Sequence, residues 1–325
     1  MSVDWVIQWV FLPVVKCPFL LCFLCRIKSR LVWCFCVLYS VSLFILLKVN
    51  TRFKCHGANL WVTIEHIKNA RVVITGGSSG LGHAIIKELL SRYKDLTIFN
   101  IDLNESPIAD KRIKTYKCDL GISSERDEMI KKIQRDCDGP VHLVVNNAGM
   151  RSKYQQFQKL HGKAFEHILS VNTLAPTKII QAFAPKENNL DQCYIVNVAS
   201  TLAILSASKV APYASSKAAL IALHRSYCFE LESRHISNIR TLLVVPGQLN
   251  TDLFGGFTPP RQFFAPVVDC DALAKSIVDR CEKGQRGDLC APFYSNLISL
   301  LMSLPYAVQI LARKFAQLDD CLPDD

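Results

Sequence analysis

The chain of 325 residues is half hydrophobic and carries 38 Lys and Arg against 28 Asp and Glu, a net charge of +10. Six of those charges arise in residues 1–70, where eight Lys or Arg beside apolar runs face only Asp4 and Glu65; the other +4 is dispersed over 255 residues with no aromatic-interleaved basic stripe. That distribution excludes nucleic acid as the partner and points to anionic lipid headgroups.

From Leu31 to Leu47 seventeen successive residues are uncharged. As a helix they reach about 26 Å, close to the hydrocarbon core of a thin bilayer such as the endoplasmic reticulum. The run begins at residue 31 and no small-x-small site follows it, so an uncleaved anchor is expected rather than a signal peptide. The earlier stretch from Trp5 to Cys25 is apolar but broken by Pro13, Lys16 and Pro18, which suits an interfacial or re-entrant segment whose geometry stays open. Arg26, Lys28 and Arg30 before the span balance Lys48, Arg52 and Lys54 after it, leaving orientation undecided. Residues 1–53 are thus assigned to membrane anchoring, with the main span at 31–47, and 54–69 to a connector.

Of fourteen cysteines, five stand at positions 17, 22, 25, 34 and 36. Cys22 and Cys25 form a C-x-x-C without a second pair, and read as small apolar residues facing lipid. Scattered thiols place the globular part in a reducing compartment, the cytosol. No spacing of the eight histidines suggests a metal site.

Beyond the connector, strand and helix patterns alternate as a doubly wound parallel sheet requires. Strands are expected at 71–75, 96–102, 114–118, 141–145 and 193–199, and helices at 81–92, 124–137, 162–185 and 213–234. The α/β domain covers 70–292, and an apolar extension, 293–325, follows as a membrane-dipping helix or a lid. Ligands of such sheets bind beyond the carboxyl ends of the strands.

The first strand ends in Thr75, Gly76, Gly77, Ser78, Ser79, Gly80, Leu81 and Gly82. Glycines between strand and helix let a pyrophosphate approach the backbone and the positive helix end. Gly76, Ser78 and Gly80 also spell a hydrolase nucleophile elbow, but its histidine, His224 or His235, has no supporting motif. Asp102, twenty residues after Gly82, is placed to accept hydrogen bonds from an adenosine ribose. It favours NAD(H). NADP(H) would need Lys94 or Lys111 to offset that carboxylate.

Tyr213 and Lys217 lie one helical step apart, and Ser200 stands thirteen residues upstream. Bringing a phenol from ~10 to neutrality takes about 4 kcal/mol, and a lysine ammonium at roughly 5 Å in a dielectric of about 20 supplies about 3 kcal/mol. An acid-shifted tyrosine base is the expectation.

This pattern resembles the short-chain dehydrogenase/reductase family over about residues 70–292. The resemblance implies a single-domain, Rossmann-type fold with a nicotinamide cofactor, and Asn172, Ser200, Tyr213 and Lys217 as the catalytic tetrad. It implies that Asn146, Asn147, Ala148 and Gly149 brace the sheet beside the cofactor. Asp119 would contact the adenine; Pro246, Gly247 and Thr251 would hold the carboxamide; and Tyr213 and Lys217 would also touch the nicotinamide ribose. Asn172 would position a water in the proton path. Self-association as a homo-oligomer is the family default.

Between 247 and 266, Phe254, Phe257, Phe263 and Phe264 lie among glycines and prolines, either as a greasy lid or as core. With the anchor, they liken the chain to membrane-bound retinol and hydroxysteroid dehydrogenases. A lipid, sterol or retinoid alcohol or ketone is the expected substrate, delivered from membrane lipid at the endoplasmic reticulum or a lipid droplet, with a mitochondrial membrane as the alternative. A catalytically silent nucleotide-binding scaffold is the rival reading.

Overall fold

Seven strands form one sheet in the order β3-β2-β1-β4-β5-β6-β7: β1 Ala70–Thr75, β2 Leu96–Asp102, β3 Ile113–Lys117, β4 Leu143–Asn146, β5 Cys193–Val198, β6 Ile239–Pro246 and β7 Gly287–Ala291. Every neighbouring pair is parallel. The computed structural model describes residues 2–56, 60–186, 189–255 and 260–323. All parallel strands must be covered on both faces, and β4, β5 and β6 are buried at every residue.

Besides the short helices Val3–Val6, Leu12–Lys16, Phe19–Leu24 and Leu202–Leu205, the α-helices among the described residues are α1 Arg30–Lys54, α2 Gly80–Arg92, α3 Ser123–Asp136, α4 Gly162–Leu169, α5 Ala175–Phe183, α6 Ala211–Ser233, α7 Cys270–Glu282, α8 Ile298–Ser303 and α9 Tyr306–Ala316. On one face Leu81, Ile85 and Leu89 of α2 and Leu273 and Ile277 of α7 pack against Ile74, Ile98, Val145 and Val244. On the other, Met129 and Ile133 of α3 and Ile179 and Phe183 of α5 cover Val73, Phe99, Val144 and Ile195. Both layers of the doubly wound expectation are present.

The expected strands stand within two residues of their places, with β3 one residue early and β4 running on to include Asn146. The helix expected at 162–185 runs without interruption from Gly162 to Phe183, with a π-helical turn, Ser170–Leu174, between α4 and α5. Pro176 accounts for the π turn: it has no N–H for the carbonyl of Asn172 four residues earlier, and its ring crowds that carbonyl.

The connector packs closely on the body. Trp61 donates from Nε1 to the Cys281 carbonyl at 3.0 Å and meets Tyr194 edge-on at 5.9 Å, under the guanidinium of the buried Arg240. Cys22 departs from the lipid-facing expectation: it is buried, with Sγ 3.4 Å from Cys36 Sγ of α1. Helix α1 is 25 residues long, with mean hydropathy 2.2 and none of its apolar window buried, long and apolar enough to cross a membrane.

Candidate active site

Thr75 closes β1 and ties the glycine turn to the loop after β4. Its hydroxyl accepts from the Asn147 and Ala148 N–H groups at 3.0 and 2.9 Å, and Asn147 Nδ2 returns bonds to the carbonyls of Thr75 and Gly76 at 3.1 and 2.9 Å. Gly76 sits at φ +67°, and a Cβ on Gly82 would stand 2.1 Å from the Gly76 carbonyl oxygen. Ser79 gives α2 no side-chain cap, so its first N–H groups have no side-chain acceptor. A surface stripped of Cβ atoms at a helix start fits a dinucleotide pyrophosphate.

Asp102 Oδ2 accepts from Ser78 N at 3.0 Å and Oδ1 from Asn104 N at 3.0 Å, leaving the carboxylate beside the turn at the end of β2. Sequence reasoning missed Asn100, fully buried one alternation earlier. Its Oδ1 accepts from Gly77 N at 3.0 Å and its Nδ2 donates to Ser78 Oγ at 3.1 Å. Its signal was a polar residue in an otherwise apolar strand. Ser78 Oγ donates onward to the Asn104 carbonyl at 2.8 Å, and His224 is buried against Asn197, so the elbow reading has no nucleophile–base pair.

Ser200 lies just past β5, and Tyr213 and Lys217 sit one turn apart on α6; all three are buried. Ser200 neighbours the phenol and favours its ionised form, and Leu202 N donates to Ser200 Oγ at 3.2 Å. Lys217 Nζ donates to the Val198 carbonyl at 2.8 Å, 6.0 Å from the Tyr213 ring centre. The tyrosine and lysine by themselves do not give an acid-shifted phenol. Burial pushes Tyr213 up to about 12, with Ser200 pulling the other way, and burial pushes Lys217 down to about 8. The lysine's charge is itself discouraged by the burial that raises the phenol, which is why the Coulomb gain is not realised.

Lys217 consequently shapes the response to pH. Its folded value lies below its ordinary 10.5, so the unfolded chain binds more protons between about 8 and 10.5; the contribution is present above that window and lost as pH falls through 8. Denaturant unfolding in detergent of Lys217→Met against the native chain should show the variant's relative stability falling by about 3 kcal/mol between pH 7 and pH 11. A difference independent of pH would show that the buried amine is not charge-destabilised.

Asn172, on the π-helical turn, spends its amide on positioning. Nδ2 donates to the Met150 carbonyl at 2.9 Å and Ser216 Oγ at 2.8 Å, and Oδ1 accepts from Met150 N at 2.9 Å. Asn146 Nδ2 donates to Asn197 Oδ1 at 2.8 Å, bracing β4 to β5.

These residues frame a cavity of about 880 Å³. Gly76, Ser79, Gly80, Leu81, Asn147, Ala148, Gly149, Ser200, Tyr213, Lys217, Pro246, Gly247 and Thr251 line it. Thr75, Ser78, Gly82, Asp102, Asp119 and Asn172 stand behind or beside the wall. Asp119 Oδ1 accepts from Gly121 N at 2.8 Å and lies 3.5 Å from His167 Nε2. Phe254 packs edge-on to Tyr213 at 5.0 Å, Phe264 lines the cavity while meeting Phe315 edge-on at 5.4 Å, and Phe263 is exposed; Phe257 lies outside the described residues. Tyr294, also unforeseen, joins the wall, its phenol 2.7 Å from where a Gly247 Cβ would be.

A dinucleotide cradle at the carboxyl end of β1, facing a buried serine, tyrosine and lysine across one cavity, is the equipment of a nicotinamide-dependent oxidoreductase. The chain belongs to the short-chain dehydrogenase family, whose model, described as short chain dehydrogenase, matches residues 70–261. An uncharacterized oxidoreductase of Saccharomyces cerevisiae, TDA5, is 44% identical over 327 residues, covering 100% of both chains. Retinol dehydrogenase 10-A of Xenopus laevis is 25% identical over 285 residues, 77% of this chain and 83% of that one. A solved 4-hydroxyisoleucine dehydrogenase complexed with NADH shares the fold, with a TM-score of 0.61 and 22% identity over 68% of this chain and 96% of its own.

Proposed function

We propose that this enzyme is attached to a membrane through residues 1–53 and interconverts a lipophilic alcohol and its ketone or aldehyde, of lipid, sterol or retinoid class, with NAD(H) preferred. The observation that carries the reading is the cavity's far half. Beyond Ser200 and Tyr213 it is walled by Leu202, Leu205, Phe254, Leu297, Ile298 and Leu301, and among the described residues Lys217 and Asp252 are the charged ones of the wall. A polar or ionic substrate would leave its groups unpaired there.

The glycine turn, Asp102, Lys217 and Thr251 would hold the dinucleotide, whose nicotinamide supplies or takes the hydride. Ser200 hydrogen-bonds the substrate oxygen. The Tyr213 hydroxyl, protonated at neutral pH in the resting site, is in the form that gives its proton to that oxygen as a carbonyl is reduced. The π-helical turn at Asn172 opens the route by which the phenol regains a proton. The exposed apolar helices suit a cytosolic body on an endoplasmic reticulum or lipid-droplet surface, and self-association remains part of the reading.

The test is absorbance at the reduced nicotinamide band, with detergent-dispersed retinoid, sterol and long-chain ketones and alcohols. Turnover is expected with at least one of them and with NADH ahead of NADPH, because a 2′-phosphate would meet the Asp102 carboxylate. Asp102→Asn removes the like charge while giving up one of the two backbone N–H bonds the carboxylate accepts, and should narrow the preference about tenfold. Equal use of both cofactors by the native chain, unchanged by Asp102→Asn, would remove Asp102 from cofactor choice.

A further inference from the structure

The amino-terminal segment and α1 make an antiparallel hairpin. Helical segments Val3–Val6, Ile7–Phe11, Leu12–Lys16 and Phe19–Leu24 run out, and α1 runs back, with Cys22 and Cys36 in contact near the tip. The turn between them is built, not merely loose chain. Arg26 takes φ +49°, its N–H bonds the Phe23 carbonyl at 3.1 Å, Ile27 N bonds the Cys22 carbonyl at 3.0 Å, and Trp33 Nε1 donates to the Ile27 carbonyl at 2.9 Å. That pair of backbone bonds is a Schellman closure, which satisfies carbonyls a helix end would otherwise leave bare.

Both limbs root on the catalytic body, on either side of β7. At the base of α1, Arg286 N donates to the Lys54 carbonyl at 3.0 Å and Arg240 Nη2 to the His56 carbonyl at 2.8 Å, next to the start of the strand. At the base of the other limb, Phe293 N donates to Asp4 Oδ2 at 2.9 Å and Val3 N to the Phe263 carbonyl at 2.7 Å, just past the strand's end and on the lid.

We infer that residues 3–54 enter the bilayer as a two-limb hairpin, so that the amino terminus lies on the same side of the membrane as the active site. The proposal rests on the membrane attachment argued above and extends it, since a single crossing by α1 would put the two on opposite sides. Helix α1 reaches about 38 Å, enough to carry Arg26, Lys28 and Arg30 to the far headgroups, while Lys48, Arg52 and Lys54 meet the near ones. Three cations at the tip meet far headgroups in a bilayer but neutral oil beneath a droplet's single leaflet, so of the two surfaces proposed above the hairpin favours the endoplasmic reticulum. Lys16, exposed at the Cys17–Pro18 break, is the one charge between Trp5 and Cys25, and costs about 3 kcal/mol at depth. The exposed Trp5, Trp9, Phe11, Phe35, Leu38, Phe44 and Leu46 outweigh it.

The same geometry presses the lid and α8–α9 toward the near leaflet. Leu300, Tyr306, Leu311 and Phe315 are more than half exposed there, while Leu297, Ile298 and Leu301 turn into the cavity. The bilayer is the occupant that covers this face, because the hairpin's amino-terminal root is fastened to it.

The experiment uses the full chain in sealed vesicles with distinct epitope tags at each end. Both tags are expected to be cut by added protease without detergent, and the protein should resist alkaline carbonate. An amino-terminal tag protected until detergent is added, while the carboxyl-terminal tag is cut, would overturn the hairpin and leave the single-span attachment standing. Release by carbonate would overturn the hairpin together with the attachment it rests on. An Asp4→Ala, Val3→Pro chain that remains folded but shows its amino-terminal tag protected in part would tie the sidedness to the root at Phe293 and Phe263, as the proposal requires.

Discussion

Tyr213→Phe is expected to lower kcat for the lipophilic substrate by about 10²- to 10⁴-fold while leaving the chain folded and NADH affinity within about tenfold. Only the hydroxyl is lost: the ring keeps its edge-on contact with Phe254 at 5.0 Å and its burial. What disappears is the proton donor, with stability changed by about 1 kcal/mol at most. Stopped-flow oxidation of NADH separates the two effects. A variant that binds NADH normally and turns over at the native rate would make the phenol a wall residue.

Gly82→Ala should cost more than its one carbon suggests. The new Cβ would stand 2.1 Å from the Gly76 carbonyl oxygen and 2.5 Å from Asn147 Nδ2, both held in the network that Thr75 closes. Neither can give way without moving the start of α2 from β1, so overpacking of about 1–3 kcal/mol is expected, with NADH affinity down by about 10²-fold. Gly162→Ala is the control. A Cβ there has nothing within 4 Å, and at the start of α4 alanine should be neutral or favourable by up to about 1 kcal/mol. Fluorescence titration with NADH reads the first and thermal unfolding the second. Native affinity in Gly82→Ala would mean the cradle is not where the pyrophosphate lies.

Much of this was readable before any coordinates. The apolar runs of β1, β2 and β5 and the glycines after β1 are local patterns, and local patterns set both the strands and the cradle. Ser200, Tyr213 and Lys217 come together because strand ends and helix starts of a doubly wound sheet share one edge. The rest depends on distances no spacing contains. The phenol's charge preference turns on burial against an ammonium that points to Val198 instead, with 6.0 Å separating it from the ring. Asn100 looked like one polar letter in a strand, and its function appears only when Gly77 and Ser78 fold back onto it. The π turn at Asn172 did have a signal, Pro176, which the apolar periodicity around it obscured. The hairpin's return was illegible because its roots, Asp4 on Phe293 and Lys54 on Arg286, join residues more than two hundred positions apart.

Isotope transfer bears most directly on the central claim, that Tyr213 and Ser200 hand a proton to a lipophilic carbonyl while a nicotinamide hands over hydride in the same cavity. The native chain, given a membrane lipid extract and NADH deuterated at the transferring position, is predicted to yield an alcohol heavier by one deuterium at its carbinol carbon, and Tyr213→Phe none. Native protein that binds the labelled cofactor yet leaves every lipid alcohol unlabelled, while reducing a small polar carbonyl instead, would contradict the account.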